Sequence, residues 1–213
     1  MSDSIKTLYQ KMEDEIEQRW LTFNETWRIG GNEIWAEMVM CLCTPQTKAE
    51  KGWSAARKIA FTPPGTLDLI TITNILTEEG IRFKNKKASY IYEASNKYSD
   101  TDIKEELIDL IMPKDTIEVR NILAKNVKGF GMKEASHFLR NIGFGDDIAI
   151  LDRHILRQLY KYNVINKIPE KLNNKLYLEI EQKMIQYSKQ INIPLFALDF
   201  VFWAETHDGK IFK

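Results

Sequence analysis

The sequence of 213 residues predicts an all-α protein, and three observations support this fold class. Apolar side chains recur in most segments at the three-to-four-residue spacing of an amphipathic helix. The two segments that are β-branched enough to be strands, 71–76 and 147–151, are isolated, and one strand cannot pair with itself. A hydrophobic content of 44%, with 11% aromatic residues, is ample for a packed core.

Roughly ten helices are expected along the chain. The first, 4–23, has apolar residues at helical spacing, and the second, 32–44, is nearly all apolar and therefore buried. Asn32 is a plausible N-cap of this second helix, and Pro45 stops it or lies just beyond its end. The later helices are expected at 48–61, 66–80, 85–99, 102–112, 115–127, 132–141, 152–165, 174–192 and 193–207.

These helices are expected to form two domains with a cleft between them. A chain of this length accommodates one large domain or two small ones, and it contains no low-complexity tract or Pro/Ser-rich linker. We expect 32–145 to form one helical domain. Residues 1–31 and 146–213 pack together as the other.

Several classes of protein are excluded by the sequence. The longest apolar run, 193–204, is interrupted by Asp199 and is too short to span a bilayer, and 1–18 is too charged for a signal peptide. We therefore expect an intracellular protein of the cytoplasm and nucleoid, without membrane contact. The only cysteines, Cys41 and Cys43, lie on one helix and are expected to be core thiols, so no disulfide framework, four-thiolate metal site or iron–sulfur site can be built.

The charges are balanced overall but unevenly distributed. There are 30 basic and 30 acidic residues in the chain, which argues against a nonspecific polycation. Residues 120–161 nevertheless hold eight basic and four acidic side chains. Such a local excess is what contact with a short length of phosphate backbone needs, although a solvated helical face explains it about as often.

The stretch "VKGFG", 127–131, predicts a tight turn between two helices. Gly129 and Gly131 permit backbone conformations that a β-carbon would forbid, and about three successive N–H groups could point toward an anion at the start of the next helix. With one helix ending near Ala124 and the next beginning near Met132, this is a helix-hairpin-helix that grips a DNA phosphate. An ordinary αα-corner with a glycine turn is the alternative.

Lys133 is an unusual residue for the first turn of a helix. The positive end of the helix dipole and a protein wall would disfavour its ammonium form, and a free amine is a nucleophile toward a sugar carbon. The helix after Met132 rises about 15 Å, and an extended return at ~3.3 Å per residue can bring the chain back beside its start. The return ends at Asp152, 19 positions after the lysine, so this carboxylate can lie near the amine. Asp152 is also a good N-cap for the following helix, and the two roles are compatible.

The stretch "VKGFGMKEASHFLRNIGFGDDIAILDRHI" resembles the helix-hairpin-helix and aspartate signature of the base-excision DNA glycosylases. Over nearly all its length the chain is similar to the compact type 2 8-oxoguanine DNA glycosylases. Lys128 in place of the usual proline before the first glycine, the segments "GMKEASHFLRN" and "AILDRHIL", and the terminal "GKIFK" support this closer match.

The resemblance implies a bifunctional enzyme acting on double-stranded DNA that contains oxidised guanine, and we expect it to be a monomer. Lys133 matches the lysine that attacks the sugar C1′, displaces the base and forms a Schiff base, after which β-elimination nicks the strand. Asp152 matches the aspartate that stabilises the cationic sugar and assists proton transfer. No metal or diffusible cofactor is implied.

Recognition of a flipped base implies a wedge and a stacking pocket. Gln46 matches the wedge position, with a helix C-terminal cap as an equally good interpretation. Phe83 and Trp203 match the aromatic pair that sandwiches the base, although either could be core. His137 is expected to line the pocket or to be a core histidine, and the terminal Lys213 is expected to recognise the oxidised guanine.

The remaining candidates are phosphate contacts, chosen from charge and position: Lys125, Lys128 and Arg153, beside the hairpin glycines. Two rival functions are left open. One is a glycosylase of the same fold for another oxidised base, and the other is a noncatalytic helix-hairpin-helix DNA-binding protein in which Lys133 contacts a phosphate.

Overall fold

The computed structural model describes residues 2–63, 65–98, 103–112, 114–207 and 209, and within these ranges all regular structure is α-helical. The all-α prediction is confirmed. The helices are α1 (Ser2–Ile29), α2 (Gly31–Cys43), α3 (Ala49–Ala60), α4 (Leu69–Glu78), α5 (Lys84–Tyr98), α6 (Ile103–Ile111), α7 (Thr116–Asn126), α8 (Met132–Asn141), α9 (Arg153–Lys161), α10 (Asn174–Ile191) and α11 (Leu195–Thr206). None of these described helices is both long and apolar enough to cross a membrane.

The β-branched segment 71–76 lies inside α4. This helix is capped by Asp68, whose Oδ1 accepts a hydrogen bond from the Thr71 N–H at 2.7 Å. Ile72 and Leu76, four residues apart, are fully buried on one face. A cap and one buried face therefore outweigh the weak preference of β-branched residues for strands.

Helix α2 is the buried helix that the sequence predicts, but it begins earlier than expected. Its N-cap is Gly30, at φ +77°, so the prediction that Asn32 caps it is wrong. A glycine can take this left-handed conformation at little cost, which lets the chain turn sharply into the helix without a side-chain cap. Cys41 and Cys43 are both buried and free, as predicted. Burial raises the pKa of the Cys43 thiol to about 12 and raises the pKa of Cys41 as well.

The chain packs as two compact units, residues 1–22 with 144–213, and residues 23–143. The first boundary falls inside α1, whereas the sequence suggested a boundary after residue 31. Phe23 is buried, and the Arg140 guanidinium lies 5.2 Å from the centre of its ring. A boundary inside a continuous helix leaves no mark in the helical periodicity, so sequence patterns do not locate it.

In the 23–143 unit, α2 packs against α3, α5, α6 and α8. A buried polar network joins α2 to the end of α8. The Asn141 amide donates to Glu37 Oε2 at 2.8 Å, and Arg140 Nε donates to Asn141 Oδ1 at 3.1 Å. Buried polar side chains that hydrogen-bond to one another favour a single arrangement of the helices that carry them. This network holds α8, which has Lys133 at its other end.

Candidate active site

The stretch 127–131 joins α7 to α8 as a tight turn, as predicted. The Val127 N–H donates to the Leu123 carbonyl at 2.9 Å and thereby closes α7, and the Phe130 N–H donates to the Val127 carbonyl at 3.0 Å. Phe130 is buried, and its ring centre lies 6.0 Å from that of Phe138 on α8. The turn is therefore tied to both the helix before it and the helix after it.

Gly129 is the position of this turn that requires glycine. Its φ is +96°, in the left-handed region, and a β-carbon there would lie 2.4 Å from Tyr90 Cδ2 and 3.0 Å from Leu42 Cδ2. Gly131 is different, because its φ of −110° is open to any residue. Among the described residues beyond its chain neighbours, a β-carbon on Gly131 would meet only the end of the Glu134 side chain, at 3.2 Å. The expectation that both glycines need their conformational freedom is therefore wrong for Gly131.

We expect Gly129→Ala to destabilise the protein by about 3 kcal/mol, because it adds overpacking to backbone strain. Gly65→Ala is the matched control, since Gly65 also has a positive φ (+77°) but no described residue other than its chain neighbours lies within 4 Å of its β-carbon position. The free energy of unfolding of the control should fall by only about 1 kcal/mol. Urea unfolding of both variants measures the difference, and equal losses would show that the contact with Tyr90 does not matter.

The N–H groups of the hairpin are partly engaged within the protein. The Gly131 N–H donates to Glu134 Oε2 at 3.2 Å, which is the backbone half of a capping box, and the Phe130 N–H is bonded to Val127. The sequence suggested about three N–H groups pointing toward an external anion. The Glu134 carboxylate instead occupies part of the position that an anion would take at the start of α8.

Lys133 is the second residue of α8, and its side chain is only 22% exposed. Its Nζ lies 3.8 Å from Glu134 Oε1. Sequence reasoning missed this acidic neighbour. The spacing of Gly131 and Glu134, a cap position followed three residues later by glutamate, is the capping-box signal that could have revealed it. The hairpin therefore presents a half-buried amine beside a fixed carboxylate.

Asp152 caps α9 as predicted. Its Oδ1 accepts a hydrogen bond from the Ile155 N–H at 2.8 Å, and its carbonyl accepts from the Leu156 N–H at 3.0 Å. The side chain is half-buried. Because the cap uses one carboxylate oxygen, the orientation of the whole group is fixed while the second oxygen can interact elsewhere.

The extended segment before Asp152 is held by side chains of α10. The Ala149 N–H donates to Glu181 Oε1 at 2.8 Å. The Tyr177 hydroxyl donates to the Ala149 carbonyl at 2.6 Å and accepts from the Leu151 N–H at 3.2 Å. These side chains give the buried, non-helical backbone the partners that a second strand would otherwise supply. Periodicity gave no sign of this role.

We expect Tyr177→Phe to lower the free energy of unfolding by about 2 kcal/mol, because two buried backbone groups lose their partner. Tyr160→Phe is the matched control, as Tyr160 is half exposed on α9. The control should change stability by less than about 0.5 kcal/mol. Urea unfolding monitored by fluorescence checks both, and a neutral Tyr177→Phe would mean that water or another group replaces the hydroxyl.

Gln46 and Phe83 share two unusual properties. Both have exposed side chains and a left-handed backbone, with φ of +56° at each position. The C-cap of α2 is Thr44, so Gln46 lies beyond the helix end and the alternative of a helix-capping glutamine is wrong. Phe83 is 56% exposed and borders an open depression of about 550 Å³, so the core interpretation is wrong for it. Strained, exposed residues of this kind are concentrated at binding sites.

The other pocket candidates have different surroundings. His137 is buried on α8, one turn after Lys133. Trp203 is half-buried, and the His207 ring stacks on it at 3.8 Å with an interplanar angle of 3°. His154 approaches Trp203 edge-on at 5.2 Å. One face of this indole is therefore covered by a histidine. Lys213 lies outside the described residues.

The three predicted phosphate contacts are not equivalent. Lys125 and Lys128 are exposed, and Lys128 Nζ lies 2.8 Å from Glu93 Oε2, which raises the pKa of Lys128. Such an exposed ion pair is weak and can be exchanged for a phosphate. Arg153, by contrast, donates its two terminal nitrogens to the carbonyls of Pro169 and Glu170, both at 2.6 Å.

The candidates divide between the two compact units. The 23–143 unit contains Gln46, Phe83, Lys125, Lys128, Gly129, Gly131, Lys133 and His137. The unit of residues 1–22 with 144–213 contains Asp152, Arg153 and Trp203. Among the described residues, no three His, Cys, Asp or Glu side chains gather in a way that could hold a metal ion.

An all-helical chain with a glycine turn between two helices, and a half-buried lysine in the first turn of the second, defines a helix-hairpin-helix protein. The model of one family of such proteins, Ogg-HhH, described as 8-oxoguanine DNA glycosylase, matches residues 16–193. The chain belongs to the 8-oxoguanine DNA glycosylase family. The resemblance seen in the sequence is therefore confirmed.

Similar proteins cover the chain almost end to end. An 8-oxoguanine DNA glycosylase/AP lyase of Fusobacterium nucleatum is 40% identical over 99% of this chain and 97% of its own length. The Methanocaldococcus jannaschii 8-oxoguanine glycosylase/lyase, solved in complex with a 15mer DNA containing 8-oxoguanine, superimposes with a TM-score of 0.86 at 33% identity, covering 100% of this chain and 99% of the other. The structure of the 8-oxoguanine DNA glycosylase of Thermotoga maritima superimposes with a TM-score of 0.85 at 28% identity, covering 100% of this chain and 98% of the other.

Proposed function

We propose that this protein removes 8-oxoguanine from double-stranded DNA and then cleaves the strand at the resulting abasic site, with Lys133 as the nucleophile and Asp152 as the group that stabilises the sugar cation. One observation supports the roles most directly. In a chain of this family, a half-buried lysine stands in the first turn after a hairpin in which Gly129 leaves no room for a β-carbon.

The chemistry follows from what an amine and a carboxylate can do. The Lys133 amine attacks C1′ of the damaged nucleotide, the N-glycosidic bond breaks, and its electron pair leaves with the base. The C1′–O4′ bond then breaks and its electron pair goes to O4′, which takes up a proton as the nitrogen loses one, and C1′ becomes an imine, the Schiff base. This imine acidifies the C2′ proton, so its removal breaks the C3′–O bond and nicks the strand.

Asp152 supplies negative charge where positive charge develops. The departing base leaves an oxocarbenium-like C1′, and a fixed carboxylate lowers the energy of that transition state more than that of the neutral substrate. The cap hydrogen bond to Ile155 holds Oδ1 in place before the substrate arrives. The carboxylate also serves as the acceptor for protons that the lysine must lose.

Four residues are proposed to flip the damaged base or to recognise it once it is displaced: Gln46, Phe83, His137 and Trp203. Gln46 fills the vacated place in the base stack, while the exposed Phe83 ring and the face of Trp203 away from His207 stack on bases. His137 lines the pocket, and Lys213 contacts the oxidised purine.

We assign the phosphate contacts to Lys125, Lys128 and the backbone of the turn at Gly129 and Gly131, where a phosphate would have to displace the Glu134 carboxylate from the Gly131 N–H. Arg153 is assigned to holding the loop at Pro169 beside Asp152, because its terminal nitrogens are engaged there. The chain is proposed to act as a monomer in the nucleoid, since one copy supplies both catalytic groups.

Borohydride trapping tests the function. The protein is mixed with a duplex containing one 8-oxoguanine, and sodium borohydride reduces any Schiff base to a stable covalent adduct that denaturing electrophoresis separates. We expect an adduct with the 8-oxoguanine duplex and none with the matched guanine duplex. An adduct only with an oxidised pyrimidine would indicate a glycosylase for another lesion. Binding without an adduct on any duplex would indicate a noncatalytic DNA-binding protein.

A further inference from the structure

A buried lysine on α5 has three close acceptors in a single turn. Lys87 is only 5% exposed. Its Nζ donates to the carbonyl of Cys43 at 2.7 Å, the carbonyl of Pro45 at 2.7 Å and Oγ1 of Thr47 at 2.8 Å. All three acceptors are neutral oxygens, and burial lowers the pKa of Lys87. An ammonium group is costly to bury, so a position that keeps one needs an explanation.

The three acceptors surround Gln46. The Pro45 carbonyl and the Thr47 hydroxyl belong to its two neighbours in the chain, and the Cys43 carbonyl ends α2. Gln46 itself is exposed and has a φ of +56°, which a residue with a β-carbon adopts only at a cost. A single buried ammonium therefore ties down both sides of a strained, exposed polar residue.

Ending the helix does not by itself require this lysine. The Thr44 N–H already donates to the Met40 carbonyl at 3.0 Å, and the Thr44 hydroxyl donates to the Cys41 carbonyl at 2.8 Å. An apolar side chain of similar length would pack in the same place without the cost of burying a charge. What the ammonium adds is a defined conformation of the turn after the helix.

We propose that Lys87 is a positioning residue that holds Gln46 in its left-handed conformation, so that the Gln46 side chain is ready to fill the place left by the flipped base. This inference rests on the proposed function. A wedge that is fixed before DNA binds loses little conformational entropy on insertion, and the strain at Gln46 persists only because its neighbours are clamped.

The test compares Lys87→Met, Gln46→Ala and the double variant on two substrates. One is a duplex with 8-oxoguanine, whose excision needs a flipped base, and the other is a duplex with a preformed abasic site, which has no base to displace. We expect each single variant to slow excision by about tenfold or more under single-turnover conditions. Strand cleavage at the abasic site should fall by no more than about twofold, because the Schiff-base chemistry is untouched.

The double variant separates positioning from a general structural role. If Lys87 acts through Gln46, the double variant excises 8-oxoguanine no more slowly than Gln46→Ala alone. Lys97→Met is the matched control, since Lys97 is an exposed lysine on the same helix, and its excision rate should equal that of the wild type. Thr47→Val removes one acceptor without touching the lysine. It should slow excision of 8-oxoguanine less than Lys87→Met does, and cleavage at the abasic site should again change by no more than about twofold.

Several results would overturn the inference. One is an excision rate in the double variant that falls by the product of the two single-variant effects. Another is an equal slowing by Lys87→Met of excision and of cleavage at the abasic site. A third is an excision rate in Lys87→Met that equals that of the wild type. If Lys87→Met does not fold, the Thr47→Val variant provides the test, and unchanged excision of 8-oxoguanine by that variant overturns the inference. A wild-type protein that is inactive on both substrates overturns the proposed function and this inference together, whereas an active wild type with an unaffected Lys87→Met overturns only the inference.

Discussion

Lys133→Gln is expected to abolish both the borohydride-trapped adduct and strand cleavage, and to slow excision of 8-oxoguanine by at least about 1,000-fold. Glutamine has no nucleophilic amine, so neither the displacement at C1′ nor the Schiff base can form. The variant should fold normally, because glutamine is a polar side chain of similar length and the ion pair that the change removes, to Glu134 Oε1, is long at 3.8 Å.

Single-turnover excision, borohydride trapping and thermal unfolding are measured together on Lys133→Gln. The matched control is Lys128→Gln, which removes an exposed hairpin lysine paired with Glu93. It should still form the adduct, and it should bind DNA more weakly by a similar factor with and without the lesion, with a smaller dependence of affinity on salt concentration than the wild type. A normal adduct in Lys133→Gln would show that another amine is the nucleophile.

Asp152→Asn is expected to slow excision by about 100-fold while leaving the protein as stable as the wild type. Asparagine is as good an N-cap as aspartate, so the hydrogen bond from the Ile155 N–H is preserved. What the variant loses is the negative charge that stabilises the sugar cation. The two roles of Asp152, capping and catalysis, are thereby separated.

Asp152→Ala is the companion variant, because it removes the charge and the cap together. Its excision rate should fall as far as that of Asp152→Asn, and its free energy of unfolding should drop by a further ~1 kcal/mol. Single-turnover kinetics and urea unfolding distinguish the variants. If Asp152→Asn excises 8-oxoguanine at the wild-type rate, the carboxylate acts only as a cap.

Signals that lie close together in the chain predicted much of the site. Gly129, Lys133 and Asp152 were all recognised from their neighbours: a glycine turn, a cation in the first turn of a helix, and an acid directly before a helical segment. In the structure, Gly129 has the left-handed conformation, and Asp152 accepts the capping hydrogen bond. Whether Lys133 and Asp152 perform the chemistry remains a prediction for the variants above.

Local signals failed where a conformation depends on distant neighbours. Asn32 looked like a cap, but the chain enters α2 through the positive φ of Gly30, whose β-carbon position lies 3.0 Å from Cδ of the distant Lys104. The segment 147–151 looked like an isolated strand, and it is held by Tyr177 and Glu181 of α10, more than 25 positions later. A side-chain partner at that distance leaves no periodic pattern in the sequence.

The sequence by itself determined the fold class, the bounds of most helices, the hairpin and the membership in a family of DNA glycosylases, because helical periodicity, glycine turns and N-caps are local properties. Only the tertiary structure decided which of the similar lysines of α5 is buried. Lys84, Lys86 and Lys87 are alike in the sequence, yet only Lys87 among these three is buried, beside the turn that contains Gln46. Burial and hydrogen bonding depend on which helices come together, and that information does not reside in any single segment of the chain.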